Sequence, residues 1–234
     1  MSGGVIRAAT RGSPLARWQA DHVAALLRAR DPDARVELVV VETQGDRRQD
    51  VPIWELGGKG VFAKEVQLAA ARPDLRFVGL RGNMATRLAK VADHDAIVVA
   101  AAALDRLGLA DQIAERLPVE LVLPQVGQGA LAVECRSDDG ALLTRLAAID
   151  HLPSHRCVAA ERSFLAELGG DCSLPAAAYA TIDGDQLSIE GRLATPDGQT
   201  LLRHAVSGRA RAQLGAELAR HLLDEMGGRE LLTS

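Results

Sequence analysis

The sequence predicts an α/β protein that closes with a small α+β domain. Two patterns predict it. Over the first part of the chain, short apolar runs alternate with stretches of helical periodicity. That order suits a parallel sheet with crossover helices. After about His151 the order becomes one helix, three strands separated by turns, and a last helix. The boundary is expected near residues 140–152.

Residues 5–9 are a short apolar run that reads as a buried strand. Ser13-Pro14 follows, an N-cap serine before a proline at the first helical position. Leu15, Trp18, Val23, Leu26 and Leu27 then recur at helical spacing to about Ala29. Asp31-Pro32-Asp33 breaks the helix, and residues 36–41 are a second strand, completing a βαβ unit. A polar, glycine-rich stretch follows from Thr43 to Gly60. Beyond it the pattern predicts a helix over 61–71, a strand over 77–80, and a helix from the Arg81-Gly82-Asn83 turn to about Val91. A strand over 95–103, a helix over 104–117 and a strand over 131–135 come next. In the last part, Ser154 is expected to cap a helix carrying Val158, Phe164, Leu165 and Leu168, and Gly169-Gly170 to stop it. Strands over 176–181, 187–194 and 200–206 are punctuated by Asp183-Gly184 and Pro196-Asp197-Gly198. A final helix is expected over 211–226.

Composition narrows the function classes. Apolar residues make up 47% and charged residues 25%, as in ordinary globular proteins. Aromatics are only 3%, so the core must rest on small aliphatic side chains rather than stacked rings. With 27 basic against 31 acidic residues and no basic run, a nucleic-acid footprint is not expected. Cys135, Cys157 and Cys172 have neither paired spacing nor metal-ligand spacing, so neither a disulfide framework nor a metal site is expected. The N-terminus lacks an apolar targeting segment, and no run reaches membrane-spanning length. The expected location is the cytoplasm.

Three places could carry chemistry. Thr10-Arg11-Gly12-Ser13-Pro14 lies where a parallel strand gives way to a helix, and backbone N–H groups there favour an anion. A plain capped turn with a surface arginine fits the same residues. Leu80-Arg81-Gly82-Asn83 to Arg87 repeats the design with two arginines that could meet one carboxylate, or could form a solvated helix face. Cys172, in Gly169-Gly170-Asp171-Cys172, lies on a glycine-flanked loop suited to reaction, whereas Cys135 and Cys157 fall in apolar periodic segments and are expected in the core. Lys59 in Gly-Gly-Lys-Gly lacks the spacing of a nucleotide loop, and Val126-Gly127-Gln128-Gly129-Ala130 sets permissive glycines around one amide.

Taken together, these stretches resemble the porphobilinogen deaminase family. Residues 6–16 with Trp18-Gln19, then Thr43-Gln44-Gly45-Asp46, Gly57-Gly58-Lys59-Gly60-Val61-Phe62 and Lys64-Glu65, follow its motifs in order. So do Arg72-Pro73-Asp74-Leu75, Leu80-Arg81-Gly82-Asn83, Thr86-Arg87-Leu88, Leu107-Gly108-Leu109 and residues 124–130. Glu161-Arg162 and Gly169-Gly170-Asp171-Cys172-Ser173-Leu174-Pro175 resemble its cofactor-attachment region. The resemblance implies two doubly wound domains, like those of periplasmic binding proteins, flanking a cleft, with an α+β domain behind them. On this chain those would be residues 1–66 rejoined by about 124–145, then 67–123, then 146–234. It implies a transferase that joins four porphobilinogens head to tail, with release of ammonia, in tetrapyrrole (heme) biosynthesis. A dipyrromethane cofactor would be bound covalently through Cys172. Arg11, Ser13, Arg81, Arg87 and Arg106 would bind acetate and propionate groups, while Gln19, Lys59 and Gln128 would line the substrate cleft. A cytoplasmic monomer is implied, with no nucleic-acid or membrane partner.

The chain departs from the family pattern at one place. Val66 runs directly into Gln67-Leu68-Ala69-Ala70-Ala71-Arg72-Pro73. The family's His-Ser-x-Lys-Asp and Ser-Ser-x-Arg-Arg motifs, the first carrying its catalytic aspartate, have no counterpart, so the catalytic residue of this chain is unknown from sequence. Lost cover on the neighbouring elements predicts exposed apolar surface. Two other readings fit: an inactive relative that at most binds anionic pyrroles, and a non-enzymatic anion-binding module.

Overall fold

The computed structural model describes residues 4–42, 63–170, 174–195 and 197–233. It is a mixed α/β structure with two sheets, dividing into two compact units. Unit one comprises residues 1–51, 79–116 and 131–150, and unit two comprises 52–78, 117–130 and 151–234.

In unit one, β1 (Ile6–Arg11) pairs in parallel with β2 (Val36–Val41), in the register Ile6 opposite Val36. α1 (Pro14–Arg30) joins them, so the expected βαβ unit forms. Ser13 is the N-cap, its Oγ accepting from the Ala16 N–H at 3.4 Å, with Pro14 next to it as the sequence predicts. α1 buries Ala24 and Leu27. The shorter helices α3 (Met84–Ala89), α4 (Ala101–Arg106) and α5 (Gly140–Ala147) complete the unit. α4 stops well before Leu117. Gly108, at φ +69°, donates to the Asp105 carbonyl while the Leu109 N–H reaches back to Leu104, a Schellman ending that a mid-segment glycine permits.

Three expected strands do not form. Residues 77–80 and 131–135 lie outside any ladder, and 95–103 is irregular before it turns into α4. Apolar periodicity says what a strand would bury, but a strand also needs a neighbour for its backbone N–H and C=O groups. Among the described residues the β1–β2 sheet stays two-stranded. The predicted exposed apolar surface follows. Val39, Val40 and Val41 of β2 are 38–48% exposed, on both faces of the strand, and Val78 and Val133 in the unformed strands are exposed as well.

In unit two, β3 (Ala176–Asp183), β4 (Gln186–Ala194) and β5 (Leu201–Arg209) form an antiparallel meander in that order. α6 (Leu152–Glu167) and α7 (Gln213–Arg220) pack on it. Leu187, Ile189 and Leu193 alternate toward the helices and meet Phe164, Leu218 and Leu222 in the core. The aliphatic core expected from composition is what forms, with Phe164 its one buried aromatic among the described residues. Gly215 lets α7 close on α6, for a Cβ there would lie 1.8 Å from the Ala160 carbonyl oxygen. α6 begins earlier than predicted: its cap is His151, whose Nδ1 accepts from the Ser154 N–H at 3.4 Å. Pro153, with φ already helical, fits within the first turn. Gly169 and Gly170 end α6 as predicted. The last predicted helix, 211–226, divides into α7 and a wider turn over 221–225, and a further helix that the pattern did not predict, α8 (Gly228–Thr233), follows it.

Against the other face of the meander lie α2 (Ala63–Ala71) and residues 117–123. Ala63, Leu123 and Ala177 form a small second core there. Arg192, 3% exposed, donates to the carbonyls of Val119, Glu120 and Leu121, to Gln67 Oε1 at 2.7 Å, and to Glu190 at 2.9 Å.

Candidate functional site

Unit one holds most of the residues singled out from sequence. Arg11 ends β1, Ser13 caps α1, and Gln19 sits one turn along α1. The first turn of α1 carries no acidic side chain, so nothing there opposes an anion at the positive end of the helix. The second glycine turn has the same form. Asn83 caps α3, its Oδ1 accepting from the Thr86 N–H at 3.0 Å. Gly82 is at φ +119°, and a Cβ there would come within 2.6 Å of the Thr86 side chain. Arg87 folds back so that its Nε donates to the Gly82 carbonyl at 3.0 Å, which pins the turn bearing Arg81. Arg106, at the end of α4, stacks its guanidinium over the Trp18 ring at 5.4 Å and so lies against α1.

Unit two contributes a cavity of about 380 Å³. Gln125 and Gln128 come to it from the irregular segment before residue 131, Cys157 and Glu161 from α6, and Tyr179 and Ala180 from β3. Gln128 is thus the one sequence-predicted residue in this cavity among those described. Cys172 and Lys59 lie outside the described residues. Cys135 is half-buried and lies outside the core clusters, while Cys157 is half-buried and packs against the main core. The strand expected around Cys135 does not form, and Cys157 has the cavity on one side.

Sequence reading missed Glu161 as a site residue. It is 5% exposed, and each carboxylate oxygen accepts one backbone N–H: Gly127 at 2.8 Å and Ala180 at 2.9 Å. The available signal was a carboxylate flanked on α6 by Cys157, Ala160 and Phe164, a face that otherwise packs inward. Burial pushes the Glu161 carboxyl above its ordinary value of 4.5, and the two amide donors pull it back only in part. Burial, and then the Glu161 charge, raise the Cys157 thiol.

A raised carboxyl means that the folded chain holds this proton more tightly than the unfolded chain does. Its contribution to stability is fully present below pH 4.5 and is lost as pH rises through the folded value. Glu161→Gln removes that slope. Denaturant midpoints measured from pH 4 upward (about one unit steps) are expected to fall for the wild type relative to E161Q; parallel curves would contradict the assignment.

Comparisons with known proteins agree over nearly the whole chain. The porphobilinogen deaminase dipyromethane cofactor binding domain matches residues 6–70 and 63–144, and the porphobilinogen deaminase C-terminal domain matches residues 155–224. Porphobilinogen deaminases of Trichlorobacter lovleyi and Geobacter metallireducens are each 35% identical over 298 aligned positions, which cover 97% of this chain and 95% and 93% of theirs. That of Syntrophomonas wolfei is 36% identical over 294 positions, covering 95% of this chain and 96% of its own. These alignments are longer than the 234 residues present, so the relatives carry a stretch that this chain lacks. The two matches of the cofactor-binding domain overlap at 63–70, which puts the interruption at α2, where the sequence departs from the pattern after Val66.

Proposed function

The chain belongs to the porphobilinogen deaminase family, and on that premise we propose that it condenses four porphobilinogens stepwise into linear hydroxymethylbilane with release of ammonia. The observation that carries this reading is the family match, whose two domains follow in order over residues 6–144, interrupted at α2, and 155–224.

The donor set suits a dipyrromethane and its growing chain, because every pyrrole ring brings two carboxylates. Arg11, Arg81, Arg87 and Arg106 supply guanidinium groups at a helix start, a glycine turn and a helix end. Charge-assisted bonds of that type are the strong ones. Ser13 keeps the α1 N-terminus in shape for an acetate or propionate group through its own cap. The cofactor, when bound, supplies the pyrrole position onto which the chain grows. To Cys172 we assign the thioether link to it, and to Gln19, Lys59 and Gln128 contacts with the substrate. By family order we assign residues 1–66 with 124–145 to the first domain, residues 67–123 to the second, and 146–234 to the attachment domain. The protein acts as a monomer in the cytoplasm; among the described residues no helix is long and apolar enough to cross a membrane.

Loss of ammonia leaves a cationic azafulvene, and the family's carboxylate beside the pyrrole nitrogens has no counterpart here. Removing one such electrostatic stabiliser costs about 10²–10³ in turnover. Ammonia release from porphobilinogen, measured beside a full-length relative, is therefore expected to be slower by that factor yet clearly above the no-enzyme rate. A rate equal to the no-enzyme control would overturn the reading, and a rate equal to the relative's would overturn the role given to the missing carboxylate.

A further inference from the structure

Among the described residues three polar side chains are buried, Gln67, Glu161 and Arg192, and all three hold the same irregular segment. Arg192 takes the carbonyls of Val119, Glu120 and Leu121. Gln67 exchanges two hydrogen bonds with Leu123, donating to its carbonyl at 3.0 Å and accepting its N–H at 2.8 Å. Glu161 takes the Gly127 N–H. Residues 119–127 belong to no helix or strand, so buried side chains supply the partners that a ladder would otherwise provide. Burying such groups is costly unless each is paired. Their convergence on one segment, from three different elements, fixes its conformation.

That segment leads straight into Gln128, between Gly127 at φ +71° and Gly129 at φ +84°. Two left-handed residues in three would give a loose loop without a tether. Glu161 provides the tether and fastens it to β3 through Ala180. We propose that Glu161 is a positioning residue, which fixes the 126–130 loop and so presents the Gln128 amide at the cavity for pyrrole binding. The inference rests on the tetrapyrrole-forming reading for what Gln128 binds, and on the structure alone for what Glu161 holds.

Glu161→Gln tests it. A carboxamide presents an NH₂ group to one of the two backbone donors, so one bond is lost without loss of volume. Amide hydrogen exchange of the substrate-free protein is expected to speed up about tenfold or more at Gly127 or Ala180, as loss of a charge-assisted bond requires. With porphobilinogen, KM is expected to rise about tenfold while kcat changes little. Gln128→Ala should reproduce the KM change with exchange as in the wild type, and the double variant should be no worse than Gln128→Ala. Unchanged exchange at both amides in E161Q overturns the inference whether or not the chain is active. Faster exchange with an unaltered KM overturns the link to Gln128. A wild type that releases no ammonia, with Gly127 protected and E161Q not, overturns the functional reading and leaves the tether standing.

Discussion

Replacing Cys172 by alanine is expected to erase a covalent adduct from the protein. The purified wild type should weigh more than its 234 residues by one dipyrromethane, and Cys172→Ala should show the bare chain mass. The reason is retention. A primer held only by carboxylate–guanidinium pairs can leave between additions, whereas a thioether keeps it through all of them. α6 ends at Gly169, at φ +70°, and Gly170, two positions before Cys172 in the sequence. Cys157→Ala is the matching control. Its thiol is raised by burial and by the Glu161 charge, which leaves little thiolate to react at neutral pH. Cys157→Ala should keep the adduct, and ammonia release should fall to background in Cys172→Ala alone. An adduct that survives in Cys172→Ala would refute the attachment.

The second large effect is on stability. Arg192→Met retains the aliphatic stem and deletes every N–H. The carbonyls of Val119, Glu120 and Leu121 and the Gln67 Oε1 then lose a donor, and Glu190 loses one of its two arginine partners. Glu190 keeps Arg203 at 2.8 Å, so the cost lies in the acceptors left without a donor, about 1–3 kcal/mol for each that is cut off from water. Urea unfolding should show a lower midpoint with an unchanged slope. A loss below about 1 kcal/mol, the ordinary effect of a point substitution, would show that water satisfies those carbonyls and that Arg192 does not hold the segment.

The difference between what was legible and what was not is a matter of range. β1, α1 and β2 could be read from sequence because Ser13-Pro14 starts a helix by local geometry and the apolar period changes on either side of it. The meander was equally legible, its Asp183-Gly184 turn bringing β3 and β4 into register within a few residues. The strands read at 77–80, 95–103 and 131–135 depended on distant neighbours, which side-chain pattern does not encode, and the β1–β2 sheet offers them none among the described residues. Local chemistry also misled twice: Gly108 ends α4 where periodicity ran on, and His151 caps α6 where Ser154 was the more familiar choice. In the site, the arginines and glycine turns of unit one stood out as local motifs. Glu161, Gln67 and Arg192 did not, because their roles lie in contacts to Gly127, Leu123 and Val119–Leu121, 34 to 73 residues away.

The most direct test of the central claim is intact-protein mass after brief exposure to limiting porphobilinogen. The account predicts a ladder of species above the loaded protein, each step one porphobilinogen less one ammonia, ending at the fourth addition. No ladder on the wild type, or the same ladder on Cys172→Ala, would contradict it.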